Sequence, residues 1–156
     1  MPEIELTAGT IDYEDTGGDG AVVVLLHGLA MDGSLWGDVV ADLRADHRCI
    51  VPTLPFGSHR RPMRSDADLS LRGHARLVAE LLERLDLRDV TLVVNDLGYP
   101  QLVAVEHPER LARLVLASCE AFDNLPPACP GAWSASPPGC RAASPRCAFA
   151  RCGGCR

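Results

Sequence analysis

The chain has 156 residues, a formal net charge of −6 and 47% hydrophobic residues, values typical of one globular domain with a sizeable core. The negative charge is not gathered in an acidic tail, so the charge pattern argues against nucleic acid as a partner. No apolar stretch reaches the ~20 residues that span a bilayer, and the first ten residues lack the pattern of a signal peptide. We therefore predict a cytoplasmic protein with neither membrane nor nucleic-acid partners.

The composition changes abruptly near residue 125. All 21 acidic residues lie at or before Asp123, whereas residues 126–156 contain four arginines and no acidic residue. This tail shows neither helical nor strand periodicity, and we interpret it as disordered or translated out of frame. A metal site is the alternative, although only Cys152 and Cys155 have ligand-like spacing. The tail cysteines are Cys129, Cys140, Cys147, Cys152 and Cys155. We predict a domain over residues 1–125 and neither metal nor cofactor.

In chain order, residues 1–54 predict four strands and a helix. The strand segments are Ile4–Thr7, Ile11–Glu14, Ala21–Leu26 and Cys49–Leu54. Gly9 separates the first two, which predicts a β-hairpin or a pair of edge strands. The third is a continuous apolar run, typical of a strand buried on both faces of a parallel sheet. Ser34 predicts the N-cap of a helix that runs to about Ala45. The predicted buried face of this helix is Leu35, Val39 and Leu43.

A polar loop over residues 57–68 precedes a strongly amphipathic helix. We interpret the loop arginines as solvated, with anion binding as the alternative; they are Arg60, Arg61 and Arg64. Ser70 predicts the N-cap of the helix, with Arg76–Glu80 and Glu80–Arg84 as supporting ion pairs four residues apart. The apolar residues that recur at helical spacing are Leu71, Ala75, Val78, Leu82 and Leu85.

The rest of the first 125 residues continues the alternation of strand and helix. Val90–Asn95 predicts a buried strand, Tyr99–His107 a short helix with Pro100 in its first turn, and Leu114–Ser118 a last strand. This alternation implies right-handed crossovers. The fold class is therefore α/β, a mostly parallel sheet with helices on both faces, and we expect the sheet to be incomplete.

The residues that could carry out a reaction lie at the ends of two predicted strands. His27-Gly28-Leu29 follows one buried strand, and Val94-Asn95-Asp96-Leu97-Gly98 joins another buried strand to a helix. A nucleophile on such a turn needs a left-handed backbone, which Asp tolerates, and the helix N-terminus favours its ionised form. The N–H groups of Leu97 and of Leu29 or Ala30 would then form an oxyanion or leaving-group pocket. We expect His27, Gly28 and Gly98 to shape these turns. An N-cap is the alternative role for Asp96.

The joint spacing of these motifs resembles the α/β-hydrolase family, over roughly residues 4–125. Aspartate at the nucleophile position resembles haloalkane dehalogenases and epoxide hydrolases. The resemblance implies an ester between Asp96 and a carbon of a small apolar substrate, hydrolysed by a histidine-activated water. It also implies that Glu120 is the acid that supports the histidine, with Asp123 as the competitor and a solvated carboxylate as the alternative.

The sequence departs from these relatives in ways that leave the substrate class open. Leu29 and Leu97 stand where dehalogenases carry halide-binding Asn and Trp, and Ala30 stands where epoxide hydrolases carry proline. Val94 and Tyr99 replace small residues around the turn. None of the five histidines follows the last predicted strand, so we expect this chain to be inactive in turnover. The alternatives are a non-catalytic fragment and an ester or lactone hydrolase.

Overall fold

The computed structural model describes residues 1–119 of the chain. Within them lie one six-stranded sheet, three α-helices and two short 3₁₀ turns, Gly33–Trp36 and Pro108–Arg110. The strands are β1 (Glu3–Leu6), β2 (Gly9–Asp15), β3 (Ala21–Leu26), β4 (His47–Pro52), β5 (Val90–Asn95) and β6 (Leu111–Ala117). The helices are α1 (Gly37–Leu43), α2 (Leu71–Arg84) and α3 (Pro100–Glu106). Glu120, Asp123 and the cysteine-rich tail over residues 126–156 lie outside the described residues.

The sheet is mostly parallel, as predicted. Its strand order is β1-β2-β4-β3-β5-β6. β1 and β2 pair antiparallel, which confirms the predicted hairpin, and β2 also runs antiparallel to β4. The pairs β3–β4, β3–β5 and β5–β6 are parallel. The carboxyl ends of these four parallel strands consequently meet along one edge of the sheet.

Helices cover both faces of the sheet, as predicted. Successive side chains of a strand point to opposite faces of the sheet, so the neighbours of the β3 side chains show what covers each face. Val24 and Leu26 belong to a large core cluster that contains residues of α2 and α3. Val23 and Leu25 belong to a smaller cluster that contains Trp36 and, from α1, Val40. β3 is therefore buried on both faces. Among residues 1–119 no helix has the length and apolar character needed to cross a membrane.

Helix α2 begins and packs as its sequence predicts. The Ser70 hydroxyl accepts a hydrogen bond from the Gly73 N–H at 3.1 Å, which satisfies one of the unpaired donors of the first turn. The predicted Glu80–Arg84 pair is present at 3.2 Å. The predicted Arg76–Glu80 pair is wrong. Arg76 lies 3.5 Å from Asp68, while the Glu80 carboxylate accepts from the Thr7 N–H at 2.9 Å and so ties α2 to the β1–β2 turn.

The helix predicted over residues 34–45 differs in its cap and in its buried face. Its N-cap is Asp32, whose carboxylate accepts from the Ser34 N–H at 2.9 Å. Trp36 and Val40 are buried, whereas the predicted face residues Leu35 and Val39 are exposed. A 3₁₀ turn holds three residues per turn and an α-helix 3.6, so the 3₁₀ turn before α1 rotates the buried stripe by about one residue.

Among the parallel strands, β4 and β6 begin earlier in the chain than their sequences predict. β4 begins at His47, which pairs with Ala21 at the start of β3, and it ends at Pro52. β6 begins at Leu111, opposite Val90. In both cases pairing with the parallel neighbour extends the strand beyond the predicted apolar run, because backbone pairing does not require an apolar side chain.

Candidate active site

The two sequence motifs meet at the carboxyl edge of the sheet. β3 and β5 are neighbours, so the loop that begins at His27 and the turn at Asp96 emerge side by side. The Leu29 N–H donates a hydrogen bond to Asp96 Oδ2 at 3.1 Å, across 67 residues of sequence. A hydrogen bond from a backbone N–H fixes the orientation of a carboxylate.

Gly28 lies directly against the Asp96 side chain. A Cβ atom built on Gly28 would lie 2.5 Å from Asp96 Cβ and 2.6 Å from Asp96 Oδ2. Real Cβ atoms essentially never approach other heavy atoms so closely. Position 28 therefore requires glycine for close approach, and any larger residue would displace the carboxylate.

Asp96 has the left-handed backbone that the nucleophile assignment requires. Its φ is 74°, and the Ala30 and Ser118 backbones are also left-handed, with φ of 57° and 52°. These three residues follow β3, β5 and β6, which are consecutive in the sheet. A non-glycine residue in this region costs about 1–3 kcal/mol, and such strain clusters at functional sites. Two further left-handed residues, Asp86 and Asp89, precede β5 at the opposite edge.

His27 is completely buried beneath the loop that it begins. Its Nε2 atom accepts a hydrogen bond from the Leu54 N–H at 2.8 Å. Nδ1 lies 2.9 Å from the Gly28 carbonyl oxygen, so we assign the proton to Nδ1, which donates to that carbonyl. Burial lowers the pKa of His27. A buried neutral imidazole with both nitrogens engaged holds the loop and is not placed to transfer a proton.

The other predicted pocket donors are engaged elsewhere. The Ala30 N–H donates to the Phe56 carbonyl at 3.0 Å, and the Leu97 N–H donates to the Asn95 carbonyl at 2.9 Å. The prediction paired the Leu97 N–H with that of Leu29 or Ala30; of these, the N–H that donates to Asp96 is that of Leu29. Gly98 shapes the start of α3, where its carbonyl accepts from the Gln101 N–H at 3.1 Å.

An aromatic cluster beneath the site was not predicted from the sequence. The rings of Phe56 and His74 stack at 3.8 Å between centroids, and Tyr99 packs against Phe56 at 5.3 Å. Tyr99 is buried, and this burial raises its pKa well above the ordinary value. The cluster fills the space between α2 and the turn that carries Asp96. Its only sequence signal is Tyr99 itself, a large residue where the resemblance expects a small one.

Asn95 was singled out in the sequence only as part of the turn motif. Its Nδ2 atom donates to the Ala117 carbonyl at 3.3 Å. The Asp96 N–H donates to the same carbonyl, also at 3.3 Å. No periodicity or spacing could have indicated this contact, because it depends on the register between β5 and β6.

Apolar surface surrounds the loop that contacts Asp96. Leu29, Met31 and Leu35 are 47%, 37% and 43% exposed. A cleft of about 350 Å³ opens beside them, lined by Ala30, Met31, Asp32, Ser34, Leu35 and Ser58. A larger cleft of about 750 Å³ has a charged lining that includes Asp12, Asp32 and Arg61, and it lies toward the β1–β2 hairpin. Neither of these two clefts is lined by Asp96, and the smaller one has a mixed lining of apolar and polar side chains.

The arginines of the loop over residues 57–68 are largely engaged with acidic residues of the hairpin. Arg61 pairs with Asp12 at 3.0 Å and with Glu3, and Arg64 pairs with Glu5 at 3.1 Å. Within residues 1–119 no group of three or more histidine, cysteine or acidic side chains could hold a metal ion. The five tail cysteines of the alternative metal site lie outside that range.

Comparisons with known proteins agree with this fold. A family model described as the alpha/beta hydrolase family matches residues 23–151. Haloalkane dehalogenase 1 of Mycobacterium bovis is 40% identical over 100 residues, which are 62% of this chain and 33% of that protein. A haloalkane dehalogenase of Mesorhizobium japonicum is 30% identical over 115 residues, or 72% of this chain and 36% of its own.

A solved structure extends the comparison to a different hydrolase. The thermophilic esterase from Thermogutta terrifontis is 26% identical, with a TM-score of 0.66, and covers 81% of this chain and 48% of its own. This chain spans about a third of the length of the curated relatives it matches.

Proposed function

The chain belongs to the α/β-hydrolase family, and on that premise we propose that Asp96 is the nucleophile of a hydrolase acting on a small apolar halide, epoxide or ester. The reaction passes through a covalent ester between the Asp96 carboxylate and a carbon of the substrate. Nucleophilic catalysis of this kind divides one difficult displacement into two easier steps. The partner implied is a small molecule.

The contact between the Leu29 N–H and Asp96 Oδ2 carries this proposal. It holds one carboxylate oxygen and presents the other, Oδ1, as the attacking atom. A haloalkane is the simplest case. Oδ1 forms a bond to the substrate carbon, the carbon–halogen bond breaks, and the halide leaves with the bonding electrons. Water then adds to the ester carbonyl, the alcohol departs, and the carboxylate is regenerated. The Leu29 N–H is placed to stabilise charge on Oδ2 during that second step.

The second step requires a general base. None of the histidines of this chain is proposed for that role. His27 is buried with both nitrogens engaged, and the others lie at His47, His59, His74 and His107. All five precede β6 in the sequence. Glu120 is the proposed acid that would orient a histidine, with Asp123 as its competitor. The ester on Asp96 would therefore form in a polypeptide of these 156 residues and hydrolyse slowly, since loss of one member of a catalytic triad removes most turnover.

Intact-mass measurement tests the nucleophile directly. The purified chain is incubated with a 1-bromoalkane or a terminal epoxide, and the adduct is located by peptide mapping. We expect a stoichiometric mass gain on Asp96 without sustained product release, and none in Asp96→Asn, which keeps the shape of the side chain. Absence of an adduct from a cooperatively folded wild-type chain would leave the non-catalytic alternative. Sustained multiple turnover would contradict the expectation that this chain lacks the general base.

An ester or lactone hydrolase is the second candidate function. It is favoured by Leu29 and Leu97, neither of which offers a side-chain N–H to a halide, and it agrees with the esterase similarity. An acyl substrate needs only backbone donors for its oxyanion. Replacing Asp96 with serine, the usual nucleophile of the wider family, separates the two candidates. Release of nitrophenol from a short nitrophenyl ester by Asp96→Ser would support the esterase; adduct formation only in the wild type would support the alkyl ester.

A further inference from the structure

The last carbonyl of β6 is a shared anchor for the turn that carries Asp96. Ala117 and Asn95 are the final paired residues of β6 and β5. The Ala117 oxygen accepts from the Asp96 N–H and from the Asn95 side-chain amide, each at 3.3 Å. The second bond is made by a side chain, so it depends on the residue type at position 95.

Asn95 also contacts the chain on the other side of Asp96. Its backbone carbonyl oxygen accepts a hydrogen bond from the Leu97 N–H at 2.9 Å. The side chain of Asn95 thus fixes the strand before the turn, and its backbone fixes the residue after the turn. Asp96 is bracketed between these two contacts while its own backbone is left-handed at φ 74°.

The same anchor holds a second left-handed residue. Ser118 follows Ala117 directly, and its φ is 52°. Two neighbouring strands therefore end in unfavourable backbone conformations on either side of one carbonyl group. A strained turn persists only where the surrounding contacts over-determine it, and the Asn95 side chain supplies one contact beyond the regular strand pairing.

Small displacements of this turn have consequences at the carboxylate. The Asp96 side chain lies between the Gly28 backbone, which leaves no room for a Cβ, and the Leu29 N–H. Displacement by a fraction of an ångström would lengthen the Leu29 contact or force the carboxylate against Gly28. A nucleophile misplaced by about 1 Å loses about 100-fold in rate.

We propose that Asn95 is a positioning residue for the Asp96 nucleophile, acting through the hydrogen bond between its side-chain amide and the Ala117 carbonyl. The inference rests on the proposed function and deepens it, because it names the side chain that holds the nucleophile turn in its strained form. Asn95 does not contact the substrate. It determines how often the Asp96 carboxylate occupies the geometry for attack.

Asn95→Leu tests the proposal, because leucine keeps the approximate size and removes the donor. Asn95→Gln retains an amide donor and serves as the conservative rescue. Arg110→Met is the matched control: Arg110 Nη1 donates to the Leu87 carbonyl at 3.2 Å, a side-chain bond at the opposite, amino-terminal edge of the sheet. Both substitutions remove one side-chain bond to a backbone carbonyl, and Arg110→Met also removes an ion pair with Asp86 at 3.5 Å, but only Asn95 lies beside Asp96.

The first measurement is independent of activity. Amide hydrogen exchange followed by NMR reports the Asp96 N–H, and the wild-type spectrum also reports the Asn95 side-chain amide. We expect Asp96 to exchange at least about tenfold faster in Asn95→Leu than in the wild type, and unchanged in Arg110→Met. If Asn95→Leu fails to fold, the exchange rate of the Asn95 side-chain amide in the wild type is the deciding measurement. A slowed Asn95 amide proton supports the bond, and exchange at the rate of a solvated amide overturns it.

The second measurement is the rate of adduct formation on Asp96 as a function of bromoalkane concentration. We expect the maximal rate in Asn95→Leu to fall about 10- to 100-fold with the half-saturating concentration nearly unchanged, and Asn95→Gln to recover part of the loss. Equal rates and equal exchange in the wild type and Asn95→Leu would overturn the proposal. A wild type that forms no adduct refutes the proposed function alone, and the exchange experiment then decides the role of Asn95.

Discussion

Gly28 packs against the Asp96 side chain, so a backbone and a side chain meet at the centre of the site. The sequence motif predicts a glycine after His27 as a loop-shaping residue. The structure adds the reason for the residue type: the Asp96 carboxylate occupies the space that a side chain at position 28 would need. Close packing of this kind orients a nucleophile without using a charged partner.

Gly28→Ala should slow ester formation strongly while leaving the fold intact. The added methyl would lie within 2.6 Å of Asp96 Oδ2, so the carboxylate must rotate away from the Leu29 N–H. We expect the rate of adduct formation to fall by about 100-fold or more. Intact-mass kinetics give the rate, and far-UV circular dichroism gives the fold. Gly37→Ala is the control, because a Cβ there would meet open space; an unchanged rate in Gly28→Ala would contradict the steric argument.

Which residues of the site the sequence can predict depends on how local their geometry is. Asp96 and Gly28 follow from the motifs, because strand, turn and helix signals surround them in the sequence. The pocket donors do not. Ala30 and Leu97 have N–H groups in the predicted places, yet the Phe56 and Asn95 carbonyls accept them. A backbone N–H carries no information about its partner, which the path of a distant segment decides.

At the scale of elements, α2 and α1 show when helical periodicity is reliable. α2 has a Ser70 cap, 14 residues and a stripe in which Ala75, Val78 and Leu82 are buried as predicted. α1 has only seven residues and follows a 3₁₀ turn, so one residue of phase shift moved the buried stripe from Leu35 to Trp36. Short helices lack the repeats that would correct such an error.

Ser70→Ala should destabilise the domain through the first turn of α2. The hydroxyl accepts the Gly73 N–H, and without it that donor depends on water. Losing an N-cap of this type costs about 1 kcal/mol, which lowers the thermal midpoint by about 3–5 °C. Thermal unfolding followed at 222 nm measures the shift. Ser65→Ala, in the preceding loop, is the control, and an equal shift in both variants would show that the cap contributes nothing specific.

Two buried histidines, His27 after β3 and His74 in α2, predict a loss of stability in mild acid. His27 and His74 are buried, and desolvation lowers the pKa of each below the ordinary 6.5. In the unfolded chain both bind protons as the pH falls through about 6.5, while in the folded chain they stay neutral until lower pH. The free energy of unfolding should therefore be greatest above pH 6.5 and decrease between pH 6.5 and 5.

Urea unfolding at pH 7.5, 6.5, 5.5 and 5.0 measures that decrease. His74→Phe keeps a ring stacked on Phe56 and removes one titrating group, so its stability should depend less steeply on pH. His107→Gln, at a histidine that is 40% exposed, is the control for replacing a histidine side chain. Identical slopes in the wild type and in His74→Phe would show that His74 does not bind its proton differently in the two states.

At the scale of the whole molecule, the two core clusters lie on opposite faces of one sheet and share β3. The larger contains Val24 and Leu26, the smaller Val23 and Leu25, and both lie within residues 1–119. Together they bury the apolar stripes of α1 and α2, which is the requirement for a packed layer of helices on a sheet. The composition of residues 126–156 predicts no contribution to either cluster.

Deleting residues 126–156 should therefore leave the stability of the chain nearly unchanged. The tail sequence has neither acidic residues nor hydrophobic periodicity, so its composition predicts no amphipathic surface that folding could bury. We expect the thermal midpoint of a chain ending at residue 125 to lie within about 2 °C of the full chain, a difference below about 0.5 kcal/mol. The family match runs to residue 151 and supplies the opposite expectation, a tail that packs as part of the hydrolase core. A midpoint lowered by about 5 °C or more would favour that alternative.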